Sequence, residues 1–373
     1  MCHSICRKAR FTRLNTPSPI EEILVLSARL HGPRDLRVDE IPDPGHPGPG
    51  EVHLRVRAVG ICGSDLHVYR EPKPMSGILK NPLIPGHEFA GVIEEAGPDA
   101  LDGAGKELTP GLRVAVDPAQ SCGHCEMCEQ GHPNLCLHLR FCSQFPDQGA
   151  LRERMIVPSR TCFVLPDDID FASAALLEPL GVAIHAVTLS HLKSNDTVSI
   201  HGAGPIGLLI LQMATVHGAR RVFVAEQLPW RLALAERMGA EPLDPARGTA
   251  ADQIMEMTHG RGVDVAFEAG WAGELVQHAA DSVRHGGRVV LVGIPEDDRL
   301  TVRHSTVRRK GLTLVLCRRM KHTYPQACDL VRKNRVDVRT MVTHRFPLHR
   351  SPEAFALNDR YADGVVKIIV EMP

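Results

Sequence analysis

The rhythm of apolar and polar positions changes once along the chain, between Leu189 and Thr197. Before that point, short β-branched runs are punctuated by glycine and proline: Ile23–Ala28, Leu36–Ile41, Val52–Val59, Phe89–Glu94, Leu112–Val116 and Arg154–Val157. Such runs predict short strands, and the fragment PDPGHPGPGE between the second and third predicts a loop. Two helical runs follow, Phe171–Leu177 and Leu180–Leu189. Beyond them the beat is strand then helix. Val198–His201 leads into Ile206–Ala214, Arg221–Ala225 into Trp230–Met238, and Val263–Phe267 into Ala272–Val283; the strands Arg288–Val292 and Leu312–Leu316 come next. Fully apolar strands alternating with helices predict a parallel sheet covered on both faces. A helix over Gln326–Val331 then precedes a last strand, Val365–Val370, expected to rejoin the first unit.

Length and composition fit this two-part reading. The 373 residues exceed one typical domain, and 43% hydrophobic with 23% charged residues excludes a disordered, collagenous or coiled-coil chain. A formal charge of −1 supplies no global field for nucleic acid or an anionic membrane, and no apolar run approaches the roughly 18 residues of a membrane span. The first 20 residues carry Arg7, Lys8, Arg10 and Arg13 and no acid, a composition that suits a mitochondrial transit peptide. Pro17 and Pro19 interrupt any amphipathic helix there, so a short untethered tail over residues 1–21 is the favoured expectation, with a cytoplasmic protein beginning its fold near Glu22.

His201-Gly202-Ala203-Gly204-Pro205-Ile206-Gly207 is a G-x-G-x-x-G between an apolar strand and a helical run. Gly202 allows the tight turn, Gly204 lets backbone approach a pyrophosphate, and Gly207 lets the helix pack closely, its N-terminus facing the anion. The next strand ends at Glu226, where an acid accepts ribose hydroxyls and repels a 2′-phosphate, so NAD is expected over NADP. Arg231, five residues on, would soften that preference.

Eleven cysteines in a chain without a secretory signal point to metal or redox chemistry. Cys122, Cys125, Cys128 and Cys136 lie within 15 residues, a spacing that suits a closed, tetrahedral structural zinc; an iron–sulfur centre is the competing reading. A dispersed set consists of Cys62 in GICGSDLH, His87 and Glu88 after Pro85-Gly86, and Glu178 before Pro179. The residue before proline leaves the helical region, so Glu178 is expected at a helix break. A thiolate, an imidazole and a carboxylate make a zinc site with its fourth position open. Side chains of consecutive extended residues point to opposite faces, so His87 and Glu88 are not expected to reach one ion together. The expected ligands are therefore Cys62, His87 and Glu178, with Glu88 behind the metal or exchanging into its shell. Asp65 suits a carboxylate that orients His87, or a helix cap.

The motifs GICGSD, GHEFAG, the four-cysteine lobe, LEPLGVAIHA and GAGPIG together resemble the zinc-dependent medium-chain alcohol dehydrogenases, in particular their sorbitol (polyol) dehydrogenase branch, from about Ile23 to the C-terminus. The resemblance implies an α/β chain with a GroES-like β-rich catalytic domain (residues 22–180 and 326–373, the zinc lobe at about 120–138) and a doubly wound Rossmann NAD-binding domain (residues 181–325). It implies two zinc ions per subunit, one catalytic and one structural, a homodimer or homotetramer, and hydride transfer from a secondary alcohol to NAD. Ser64 resembles the relay hydroxyl, His67 the end of the proton relay and Arg319 a substrate-binding arginine; Pro205, Ile206 and Val292 fall among the cofactor-binding positions. The pattern departs at two places: a substrate-contacting tyrosine is replaced by Val68, with Tyr69 next and taken as its substitute, and the tyrosine after the arginine is Met320. Two lost hydroxyl donors loosen the polyol assignment. Threonine or 2,3-butanediol dehydrogenase shares every metal motif, and a zinc scaffold that binds NAD without turnover is the reading from a different class.

Overall fold

The computed structural model describes residues 23–71, 81–296 and 299–373, so the basic segment 1–21 lies outside the described residues. The first unit grows from β1 (Leu24–Gly32) and β2 (Asp35–Pro42), an antiparallel pair. β3 (Glu51–Gly60) is the centre of the main sheet, burying Val52, Leu54, Val56 and Val59 completely. It leads into helix α1 (Gly63–Arg70), and then come β4 (Glu88–Ala96) and β5 (Arg113–Val116). An excursion holds β6 (Ala119–Gln120), the short helix α2 (Glu126–Glu129) and β7 (Arg140–Phe141), and carries all four clustered cysteines. β8 (Arg154–Pro158), β9 (Cys162–Val164) and the helices α3 (Phe171–Ala175) and α4 (Leu177–Ser190) complete the unit.

The second unit is a six-stranded parallel sheet. Along the chain run β10 (Thr197–His201), α5 (Pro205–Val216), β11 (Arg221–Ala225), α6 (Pro229–Arg237), β12 (Glu241–Leu243), α7 (Ala250–Met257), β13 (Val263–Glu268), α8 (Leu275–Ser282), β14 (Val283–Leu291), α9 (His304–Lys310) and β15 (Thr313–Leu316). Their order in the sheet is β12-β11-β10-β13-β14-β15, so the winding reverses between β10 and β13. That reversal opens a crevice at the carboxyl ends of the two strands, the place where such sheets bind ligands. The chain then returns through α10 (Tyr324–Arg332), β16 (Val342–Pro347), α11 (Ser351–Asp359) and β17 (Lys367–Glu371). β17 pairs with β3, giving the first sheet the order β16-β17-β3-β4-β5-β9, with β8 on the remaining length of β3. This is the two-domain α/β architecture: a GroES-like β-rich domain and a Rossmann domain.

One helix joins the two units. α4 buries eleven of its fourteen residues, and a helix that is apolar on nearly every side belongs in a core. It packs on α5, α10, β14 and β4, so one hydrophobic cluster runs from Ala58 and Ala90 of the first sheet to Ile200 and Val290 of the second. The break before α4 falls at Leu176, two residues earlier than the proline predicts. Pro179 is tolerated because it stands in the first helical turn, where no intrahelical N–H is needed; Glu178 is thus inside the helix and not at a gap between two. Helix α8 likewise begins at Leu275, three residues later than its apolar pattern suggests, which leaves Gly270–Glu274 as an irregular turn above the crevice.

The opposite end of the parallel sheet is tied by one carboxylate. Asp264 accepts hydrogen bonds from the backbone N–H and hydroxyl of Thr197 (both 2.9 Å), from Arg261 (2.6 Å) and from Arg284 (2.7 Å). Burial opposes its charge, but these donors hold its carboxyl well below the ordinary 3.8. A depressed carboxyl contributes stability above its unfolded pKa and loses it as the pH falls through the folded value. Asp264→Asn is expected to lower unfolding free energy by about 2 kcal/mol at neutral pH. Urea midpoints measured across the acid range should show the gap between variant and wild type closing below about pH 4; a gap independent of pH would contradict this account.

Candidate active site and metal centres

Cys62 ends the turn after β3 and opens α1, which brings its thiol level with the start of β4. His87 stands just before β4 and Glu88 is its first residue. One ligand atom each from Cys62, His87 and Glu88 fall within 4.8 Å of one another. This departs from the expected alternation, for a local reason: His87 precedes the strand, and Gly86, with φ +97°, turns the chain so that both side chains project the same way. Glu178 stands outside that compact trio. It is only 5% exposed, and its carboxyl is pushed up to about 7 by burial, lowered in part by His87 and raised further by Glu88.

The imidazole of His87 is oriented from behind. Its Nδ1 lies 3.3 Å from Asp65 Oδ1 and 3.1 Å from Ser143 Oγ, while Nε2 faces Ser64 Oγ at 3.4 Å. A charged carboxylate only accepts, so the Nδ1 proton points to Asp65 and Nε2 keeps its lone pair for a metal. Asp65 thus orients His87 but is not the N-cap of α1: Cys62 is, and Asp65 stands at N3, where Oδ2 accepts the Cys62 N–H (2.9 Å) while Oδ1 also accepts from Gly86 (3.2 Å). Desolvation opposes its charge, but His87 and these donors keep its pKa low.

Lys367, unforeseen from the sequence, holds Glu88. Its Nζ donates to both Glu88 oxygens (2.8 and 2.6 Å) and to the Ile61 carbonyl (3.1 Å), with both partners buried. A Cβ on Gly60 would collide with the Glu88 carboxylate, so glycine is required there. The available signal was a single lysine inside the apolar run VVKIIV, since a lone charge on a central strand needs a buried partner.

In the lobe, Sγ–Sγ separations are 3.6 Å (Cys125–Cys128), 3.8 Å (Cys125–Cys136) and 3.5 Å (Cys122–Cys136). Zn–S bonds of about 2.3 Å in a tetrahedron require edges of about 3.8 Å. The sulfurs therefore fit one ion; a multi-iron cluster would hold them farther apart. Backbone N–H groups of Leu137 and Cys128 lower Cys125 to about 6, and Cys136 Sγ accepts from Cys122 and His138 (both 3.3 Å). Oriented amides of this kind favour thiolates. The donor sets thus provide for two zinc ions, one in a closed four-sulfur shell and one beside the crevice.

The dinucleotide motif occupies the crevice. Gly202 turns from β10 with φ +110°, Gly204 caps α5, and Pro205 and Ile206 are its first two residues. A Cβ on Gly207 would strike the Gly202 carbonyl, whereas one on Gly204 would meet only Arg231 Nη1, at 3.7 Å. Backbone approach is therefore open at Gly204, as an anion at a helix N-terminus requires. The Glu226 carboxylate accepts from Ala203 (2.8 Å), Gln227 (2.7 Å) and Leu228 (3.0 Å), which fixes a negative charge beside the turn. Arg231 is buried, donates to the Val365 carbonyl (3.3 Å) and lies over Tyr361. Val292 follows β14 and donates to the Glu268 carbonyl (2.9 Å).

Two substrate residues were expected. Arg319, at φ +57°, lies flat over Phe141 (3.4 Å from the ring centre) and donates to Gln144 (3.0 Å); burial lowers it to about 10, with Glu178 opposing. Tyr69 points elsewhere. It is buried in the first core against Phe355, ring centres 5.3 Å apart, because one step along α1 rotates a side chain about 100° from its neighbour. Sequence reasoning also missed Phe141 and Gln144, which lie on β7 and the turn after it.

Comparison with known proteins agrees with this geometry. Residues 48–167 match the alcohol dehydrogenase GroES-like domain and residues 205–333 the zinc-binding dehydrogenase domain. The chain is 34% identical to L-idonate 5-dehydrogenase of Vitis vinifera over 85% of this chain and 87% of that one. It is 35% identical to human sorbitol dehydrogenase over 88% and 91%. The solved structure of 2R,3R-butanediol dehydrogenase from Bacillus subtilis superposes with a TM-score of 0.81 at 31% identity, covering 93% of this chain and 99% of that one. With both domains matched and the metal donors assembled, the chain belongs to the zinc-dependent medium-chain alcohol dehydrogenase family, close to the sorbitol dehydrogenases, and is an NAD-linked oxidoreductase.

Proposed function

We propose that this enzyme oxidises a secondary alcohol of the diol or polyol class to a ketone, with NAD preferred over NADP. The observation that carries the reading is the gathering of the Cys62 thiol, the His87 imidazole and the Glu88 carboxylate where β3, α1 and β4 meet, with the buried Glu178 carboxylate of α4 near enough to feel the charges of His87 and Glu88. When bound, zinc supplies Lewis acidity toward a substrate hydroxyl and NAD supplies the hydride acceptor. Cys62 and His87 would hold the catalytic zinc, with Glu178 as the third donor. Glu88 has both oxygens engaged by Lys367, and pulling it away would leave a buried ammonium unpaired. Among the described residues the Glu178 side chain makes no hydrogen bond, so it has no such partner to abandon. Cys122, Cys125, Cys128 and Cys136 would hold the structural zinc.

The chain's own groups position the substrate and move its proton. Ser64 is beside His87, and His67 lies one turn on along α1, so the two share a helical face. Burial lowers His67 below its ordinary value, which keeps the imidazole neutral and able to take up a proton. Ser64 would pass the hydroxyl proton toward His67, and Arg319 would donate to an oxygen farther along the substrate. Val68 and the buried Met320 bring no hydroxyl, which supports a substrate with fewer hydroxyls than a hexitol, such as a 2,3-diol. The Glu226 charge, held by three backbone donors, disfavours a 2′-phosphate.

We place the protein in the cytoplasm as a homodimer or homotetramer. Nine free cysteines among the described residues suit a reducing compartment. No helix among the described residues is long and apolar enough to cross a membrane. β15 is an open sheet edge with Leu316 66% exposed, a surface that pairing with a second copy would cover.

Turnover of sorbitol, L-idonate, L-threonine and 2,3-butanediol with NAD and with NADP, read as nicotinamide absorbance, is expected to rank the diol first and NAD above NADP. Cys62→Ser should cut turnover by at least about 100-fold while NADH binding persists; undiminished turnover would remove Cys62 from the mechanism and revive a non-catalytic scaffold. Cys125→Ser should release one zinc per chain and lower the unfolding temperature, because a structural ion contributes folding free energy. An unchanged zinc content and melting transition would count against the lobe as a metal site.

A further inference from the structure

Trp271 belongs to neither metal centre, and nothing in the proposed chemistry uses it. Its turn is held firmly. Glu268 Oε1 accepts from Gly270 (2.7 Å), the Glu268 carbonyl accepts from Val292 and Gly293 (2.9 and 3.2 Å), and Ala269 donates to the His201 carbonyl (2.9 Å). The same turn abuts the dinucleotide motif: a Cβ on Gly202 would lie 2.8 Å from the Ala269 carbonyl oxygen. From this base in the Rossmann domain the indole reaches across to the other domain. It stacks on His67 with ring centres 4.3 Å apart and planes 24° from parallel, and a Cβ on Gly63 would lie 3.1 Å from it. Arg70 covers the ring at 4.7 Å and Tyr361 meets it edge-on at 6.2 Å. Arg70 is itself anchored to Asp359 (2.5 Å) and Glu296 (3.5 Å).

The indole therefore spans the path between the glycine turn and α1. His67 Nε2, beneath the stack, is buried and has no hydrogen-bond partner, a costly state for a polar atom. We infer that Trp271 is a positioning residue for the cofactor: in the free enzyme it holds His67 and covers the face that the dinucleotide must reach, and the ring leaves the imidazole when the dinucleotide arrives. The dinucleotide would then supply the partner that Nε2 lacks. This inference rests on the reading of the crevice as the NAD site.

The chain has two tryptophans, so Trp230→Phe leaves Trp271 as the sole indole emitter. Its emission maximum is expected to shift on adding ADP-ribose, which carries both riboses, as the indole leaves its packing between His67 and Arg70, and to stay constant with AMP, which fills the adenosine half alone. Binding of each probe is measured separately by calorimetry. Failure of ADP-ribose to bind would overturn the site reading; binding with unchanged emission, or an equal shift with AMP, would overturn the role given to Trp271. In the otherwise native chain, Trp271→Ala should speed NADH association by about three- to tenfold, the range for loss of an aromatic stack, and Trp271→Phe should restore most of the native rate. Association unchanged or slowed in Trp271→Ala would refute the inference.

Discussion

The arrangement around the catalytic metal depends on a buried ion pair between the last strand of the chain and the first residue of β4. Lys367 and Glu88 are both almost entirely removed from solvent. Such a pair gives little net stability over an apolar one, but removing one partner leaves an uncompensated charge and costs roughly 3–5 kcal/mol. The constraint therefore acts on geometry. It fixes β17 against β3 and β4 at the height of the metal donors, and the third Lys367 contact, to the Ile61 carbonyl, stands one residue from Cys62. The C-terminal return crossing, through β17 inside the sheet, is thus part of the site as well.

The second constraint is the helix shared by both domains. α4 begins with Leu177 and Glu178 at the metal end and runs into the core that backs the parallel sheet. A core packed this densely transmits displacement, so the two domains cannot shift at this seam without moving Glu178. Between Trp271 and α1, by contrast, the contacts are a stacked indole, a cation over a ring and a partly exposed ion pair, each weak alone. The joint is stiff on one side and releasable on the other, the combination an enzyme needs if it admits a cofactor between domains.

Most of the parallel sheet was legible because β10, β11 and β13 are short runs rich in β-branched and apolar residues, and the glycines of the dinucleotide motif stand where a turn requires them. β16 and α11 were not. β16 reads VTHRFP with no fully buried residue, and α11 buries one face, Ser351, Ala354, Phe355 and Asn358, of which two are polar, so no apolar stripe marks it in the sequence. The metal donors were legible by residue type and spacing. Their relative order was not, since whether Glu88 or Glu178 comes closer depends on Gly86 turning His87 out of the strand and on a lysine some 280 residues away in sequence. Tyr69 failed for a related reason: adjacency to Val68 in sequence places it on another face of α1, in the core.

The four-cysteine lobe is not isolated from the chemistry. Its Asn134 side chain donates to the Arg318 carbonyl (3.0 Å), and His132 meets Lys321 (3.1 Å), so the lobe grips the segment that carries Arg319 on both sides. Thiolates are the groups most open to oxidation. An oxidant that attacked the lobe alone would eject its ion, slacken that grip and unseat the arginine over Phe141, carrying damage toward the crevice while Cys62, His87 and Glu88 stayed chemically intact.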